Sequence, residues 1–226
     1  MKTNLTKQET VLGWIYLIFQ LLLLPSILYS LNSLLRLNFS KAELNFVFFL
    51  TNFLAVLWIF HGFLSRCAQQ VKQHPAYFIQ AVVLGTAAYY ACSHAVEQVI
   101  ALLVPGFANA NDASLVTQFS GNSFLLTLGT VVLVPPVEEC LYRGLFFRRL
   151  YSRSPALSYV VSILGFAAIH ILGFLDTYSP LELCMAVLQY VPAGLCLAWA
   201  YTKADTIFAP IAIHAIVNAV SIGSLR

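Results

Sequence analysis

Seven stretches of this chain contain no Asp, Glu, Lys or Arg: Val11–Leu35, Leu44–Ser65, Ala76–Val96, Ala113–Val137, Ser154–Leu175, Leu183–Thr202 and Thr206–Leu225. A helix needs roughly 20 mostly apolar residues to cross a bilayer, and each stretch is long enough. In lipid the backbone must satisfy its own hydrogen bonds, so each stretch is expected as a helix. The fold class is therefore all-α: a polytopic transmembrane bundle of about seven helices. Composition agrees, since 60% of residues are hydrophobic and only 9% are charged. A soluble domain carries about 25% charged residues and could not hide so much apolar surface from water.

Within this pattern the fourth stretch is the least regular. Its beginning, Ala113–Asn122, is polar, and Pro135-Pro136 interrupts its end. The expectation is a helix that starts near Asn122 and restarts after the prolines. Gly106–Gly121, with Asn109, Asn111 and Asp112, is expected as the longest polar connection. The first apolar stretch is too long for a signal-peptide core, so it is expected as a retained helix. No linker or low-complexity run divides the chain. One integral membrane domain over residues 1–226 is expected, with a motif-bearing core at about 122–222.

If the N-terminus is cytoplasmic and all seven stretches cross, the inner segments hold Lys2, Lys7, Arg66, Lys72, Arg148, Arg149, Arg153 and Lys203. The outer segments hold Arg36, Lys41 and Arg226. That asymmetry follows the positive-inside rule and sets the expected orientation. The net charge of +3 then reflects basic loops beside anionic lipid, and no nucleic-acid partner is expected. Cys67, Cys92, Cys140, Cys184 and Cys196 form no CxxC pair and read as free thiols. His61, His94, Glu97 and most aromatic residues read as structural or interfacial groups.

From Pro135 onward, ionisable residues enter the spans, where each is expensive and so a functional candidate. Glu139 and Arg143 in Glu138-Glu139-Cys140-Leu141-Tyr142-Arg143 are four apart and share a helix face. Glu138 points about 100° away and is not committed to that pair. Phe166-Ala167-Ala168-Ile169-His170 places a histidine in an uncharged span, and His214 and Asn218 share a face in a third span. Each group alone fits a packing ion pair or a helix–helix hydrogen bond. Together they supply what water activation needs. In one version Glu138, His170 and His214 hold a divalent metal such as zinc with a water in the open position. In the other there is no cofactor: a glutamate and a histidine deprotonate water, and His214 and Asn218 donate to the oxyanion. The second is favoured because Asn218 suits an oxyanion donor and is a poor zinc ligand.

The ordered series EExxxR, FxxxH and HxxxN resembles the CPBP family, the CAAX protease and bacteriocin-processing (Abi) family, which includes the type II CaaX prenyl endopeptidase. The resemblance runs from Pro135 to Asn218. It implies that Glu138 activates water with help from His170, that His214 and Asn218 form the oxyanion side, and that Glu139, Arg143 and Phe166 shape the site. It implies an intramembrane endopeptidase, with lipid and a peptide or membrane-protein substrate as partners, in a bacterial plasma membrane. The competing reading is a non-catalytic immunity or scaffold protein of the same family. A proton-coupled transporter is disfavoured, because only one proline-interrupted segment lies near the motifs.

Overall fold

The computed structural model describes residues 3–225, whose regular structure is all helix, with no strand among them. Lys2 and Arg226, which entered the charge balance, lie outside the described residues. Eight helical segments follow one another: α1 (Lys7–Leu22), α2 (Leu24–Leu34), α3 (Lys41–Gln73), α4 (Pro75–Leu103), α5 (Ala110–Tyr151), α6 (Pro155–Thr177), α7 (Pro180–Ala204) and α8 (Phe208–Gly223). Helices α3 to α7 are each long and apolar enough to span a bilayer. The first apolar stretch is a bent pair, α1 and α2 meeting at 53° beside Pro25. The last is shorter than a full span: α8 has 16 residues, about 24 Å at 1.5 Å per residue, against a hydrocarbon core of about 30 Å. It packs against α4 and α7 and carries buried His214 and Ile213, so protein rather than lipid surrounds its polar face.

Helix ends are written locally in the sequence. Thr6/Glu9, Ser40/Glu43 and Ser179/Glu182 are capping boxes that open α1, α3 and α7. Proline stands at the first turn of α4, α6 and α7, where its missing N–H costs nothing.

The fourth apolar stretch departs from expectation in two ways. Helix α5 begins at Ala110, so most of the expected connection is helical, capped by the Asn109 side chain on the Asn111 N–H. Asn122 does mark a start of a kind. It leaves helical geometry (φ −160°, ψ 91°), and its side chain accepts from the Leu125 N–H at 3.0 Å, recapping the helix at a kink. The second departure is that Pro135-Pro136 do not break the helix. Proline has no N–H and its ring collides with the carbonyl four residues back. The chain answers by widening: Gly129–Leu133 is π-helical, with the Val134 N–H donating to the Gly129 carbonyl. After one α-turn, Glu139–Phe147 is π-helical again.

The chain ends and turns gather at two poles. At one, Arg66 pairs with Glu9 at 2.6 Å and donates to the Asn4 carbonyl, Arg148 donates to the Asn4 side chain, Thr3 to the Asp205 carbonyl, and Thr206 to the Cys67 carbonyl. At the other, Asn45 donates to Gln118, Asn109 to Gln189, and the Ala110 N–H to the Tyr178 hydroxyl. The N-terminus and the ends of α3, α5 and α7 therefore share one face of the bundle, as they must if every apolar stretch crosses. The interior is built on Val56, Phe60, Phe63, Leu141, Leu145, Phe147, Tyr201 and Ile207. Ile15, Trp58, Val83 and Leu164 stay exposed on the outer faces, where lipid is the natural solvent. Because lipid is as apolar as these side chains, close fit rather than hydrophobicity holds the helices together. Gly194 shows this: a Cβ there would lie 2.5 Å from the Ile163 Cα, so α6 and α7 touch backbone to backbone, and Ser162 donates across to the Gly194 carbonyl at 3.0 Å.

Candidate active site

The second π-helical stretch of α5 presents Glu139 and Arg143 to the bundle interior, and Glu138 ends the α-turn just before it. Arg143 donates to Glu139 at 2.9 Å, and both side chains are completely buried. The guanidinium also lies 4.5 Å above the Phe166 ring of α6, a cation–π contact that further compensates its removal from water. His214 of α8 meets the same carboxylate: its Nδ1 is 2.9 Å from Glu139 Oε1. Glu139 thus binds the arginine of its own helix and the histidine of another. It fixes the His214 ring and turns Nε2 away from itself.

That Nε2 points toward Glu138, whose Oε2 is 3.9 Å away. The separation is too long for a direct hydrogen bond. Glu138 Oε2 is buried and has no hydrogen-bond partner, although 19% of the side chain is exposed. Its exposed side faces a cavity of about 200 Å³ between α1, α3, α5 and α6. The two adjacent glutamates are therefore unlike: Glu139 is sealed and bonded through Oε1 to Arg143 and His214, its Oε2 unpartnered, whereas Glu138 has only the longer contact to His214 and borders a cavity.

The remaining groups close around this pair. His170 stacks between Phe166 and Tyr190, with ring centroids 4.6 Å from each, and its Nδ1 is 2.8 Å from the Phe166 carbonyl. It lies within electrostatic range of Glu138, His214 and Arg143. Phe166 stands edge-on to His214 at 5.7 Å. Asn218, one turn beyond His214, donates through Nδ2 to the Thr130 carbonyl at 2.8 Å. Contacts link Glu139, Arg143, Phe166, His170 and His214, with Glu138 3.9 Å from His214, while Asn218 reaches the Thr130 carbonyl. Residues 120–220, which include every one of them, match the family described as type II CAAX prenyl endopeptidase Rce1-like. This segment, a little under half of the chain, is similar to that family. No curated protein and no solved structure matches the chain significantly.

The matched segment can be tested for a metal. Among the described residues no three His, Cys, Asp or Glu side chains converge as a ligand set. His214 Nδ1 is engaged by Glu139 and His170 Nδ1 by a backbone carbonyl, which leaves the Nε2 atom of each ring free.

Two contributors escaped the sequence reading. The Thr130 carbonyl holds Asn218, and a backbone acceptor leaves no mark in the sequence. Tyr190 stacks on His170, but it sits among many aromatics, and only its place four residues before Gly194 on the helix that packs against α6 hints at a role.

Proposed function

We propose that this protein is an intramembrane endopeptidase in which Glu138 activates water directly. The observation that carries the reading is the state of Glu138: one carboxylate oxygen is buried without a hydrogen-bond partner 3.9 Å from His214 Nε2, while the side chain borders a cavity. A water bonded to Glu138 would stand over a peptide carbonyl entering from the cavity. Glu138 takes the proton as the water oxygen bonds to the carbonyl carbon. Negative charge builds on the carbonyl oxygen. A single oxygen about 2.8 Å from each group spans the gap between Glu138 and His214. The second N–H of the Asn218 amide is a further donor on the same helix face. The tetrahedral species then collapses. The C–N bond breaks, the proton held by Glu138 passes to the leaving nitrogen, and a carboxylate and an amine remain. His170, against Phe166 and within range of Glu138, orients this carboxylate. Glu139 and Arg143 hold His214.

A non-catalytic immunity or scaffold protein would not need an unpaired carboxylate beside a cavity, so the enzyme reading is preferred. The prenyl endopeptidase named for the matched family suggests a peptide near the membrane surface as substrate. The N-terminus and the basic ends of α3, α5 and α7 are taken as cytoplasmic. The test is to reconstitute the purified protein in vesicles with a mixture of apolar-rich membrane peptides and to read products by mass spectrometry. New termini should appear, and their rate should be unchanged by a chelator. A loss on chelation that zinc restores would overturn the direct-glutamate mechanism.

A further inference from the structure

The cavity beside Glu138 has a wall that lies outside the matched family segment. That wall is formed from α1 by Gln20 and Leu21 and from α3 by Phe48, Phe49 and Asn52, and Ile169 of α6, inside the matched segment, faces it across the cavity. Two of these are buried amides with opposite situations. Asn52 is satisfied within the fold: it accepts from the Tyr16 hydroxyl at 2.8 Å and donates to the Phe48 carbonyl at 2.8 Å. Gln20 is only 6% exposed and makes no hydrogen bond to any described residue. Its amide atoms are not among the sealed, unpartnered polar atoms of the described residues, so they open on the cavity that Gln20 lines. An amide with no bond inside the fold and open to a cavity is free to bond what enters it.

We infer that Gln20 is a substrate-positioning residue, and that the cavity takes one peptide group together with one large apolar side chain. The inference rests on the peptidase reading of Glu138 for what becomes of that peptide. A carboxamide carries an acceptor and two donors, the complement of the N–H and C=O of a peptide group. Apart from Glu138, the lining holds no ionisable group other than the Tyr142 phenol, and Leu21, Phe48, Phe49, Val134, Val137 and Ile169 offer apolar contact. At about 200 Å³ it is smaller than the roughly 300–1,000 Å³ typical of drug-sized ligands. One aromatic or branched aliphatic residue is the matching size. Selectivity for an apolar residue beside the scissile bond then comes from the N-terminal helices, while the chemistry comes from α5, α6 and α8.

The experiment uses the full-length protein in detergent micelles. Glu138→Gln blocks turnover, so binding is measured apart from cleavage. The probes are fluorescein-labelled hexapeptides that differ at one central position: Ala, Leu, Phe or Glu. The Leu and Phe peptides should bind, with Ala and Glu about tenfold weaker. Adding Gln20→Met keeps the unbranched chain and removes the carboxamide. Affinity for the Leu peptide should fall about tenfold, the scale of one hydrogen bond, while the melting temperature stays equal or rises. Unchanged affinity overturns the role of Gln20. A lowered melting temperature makes Gln20 a structural residue and overturns it as well. Failure of every probe to bind, or indifference to the central residue, overturns the site. Peptides bound by Glu138→Gln but left uncut by the native protein would instead sink the peptidase reading and leave the binding site standing.

Discussion

Glu138 and Glu139 are adjacent and chemically identical, yet they have different neighbours because a helical step turns one away from the other. Glu139 meets Arg143 one turn along and His214 from α8. Glu138 meets neither within hydrogen-bond distance. Arg143→Ala would leave Glu139 buried without its cation. Losing one partner of a buried pair costs about 3–5 kcal/mol, so thermal unfolding in detergent should show a large drop in melting temperature and less folded protein. A melting temperature equal to that of the native protein would mean that Arg143 acts on substrate instead. Asn218→Ala removes a donor already anchored on Thr130 and should leave the fold intact. One oxyanion donor is worth about 10²–10³ in rate, and a kcat assay on a peptide the native protein cuts should show that loss. At this scale much was legible. Four-residue spacings placed Glu139 on Arg143 and freed Glu138. The bond from Asn218 to a backbone carbonyl and the unpartnered amide of Gln20 were not legible, because both depend on which helices face each other.

At the scale of elements, the helix that carries the glutamates is shaped by Pro135-Pro136. The prolines suggested a break, but the chain absorbs them by π-helical widening on either side, so α5 stays continuous through its two π-turns. A missing N–H announces strain in a sequence; how the neighbouring turns relieve it depends on the packing of α3 and α8 around them. The close contact of α6 with α7 is more local. Gly194→Ala puts a Cβ 2.5 Å from the Ile163 Cα, a backbone atom that cannot swing aside. Overpacking of this kind costs about 1–3 kcal/mol. The expected result is a lower melting temperature and weakened placement of Tyr190 on His170. An unchanged melting temperature would show that α6 and α7 separate easily.

For the whole molecule, charge-free stretches foretold the bundle well, since lipid allows a long apolar segment little besides a helix. They overestimated α8, which reaches only Gly223 and finds its partners inside the protein. The gathering of Asn4, Arg66, Cys67, Arg148 and Asp205 at one pole gives the orientation a sharp form. A reporter fused after Arg149 should behave as cytoplasmic and one inserted near Asp112 as external. Reversal of both would invert the topology, and agreement of the two would contradict the crossing of α5. The central claim, hydrolysis by water that Glu138 deprotonates, is tested most directly by Glu138→Gln in the vesicle assay. Glutamine has nearly the same shape but does not accept a proton from water near neutral pH. Positioned general-base catalysis contributes about 10²–10⁴ in rate. The predicted result is a folded protein of native melting temperature whose cleavage rate falls at least about a hundredfold. Full activity in Glu138→Gln would contradict the account.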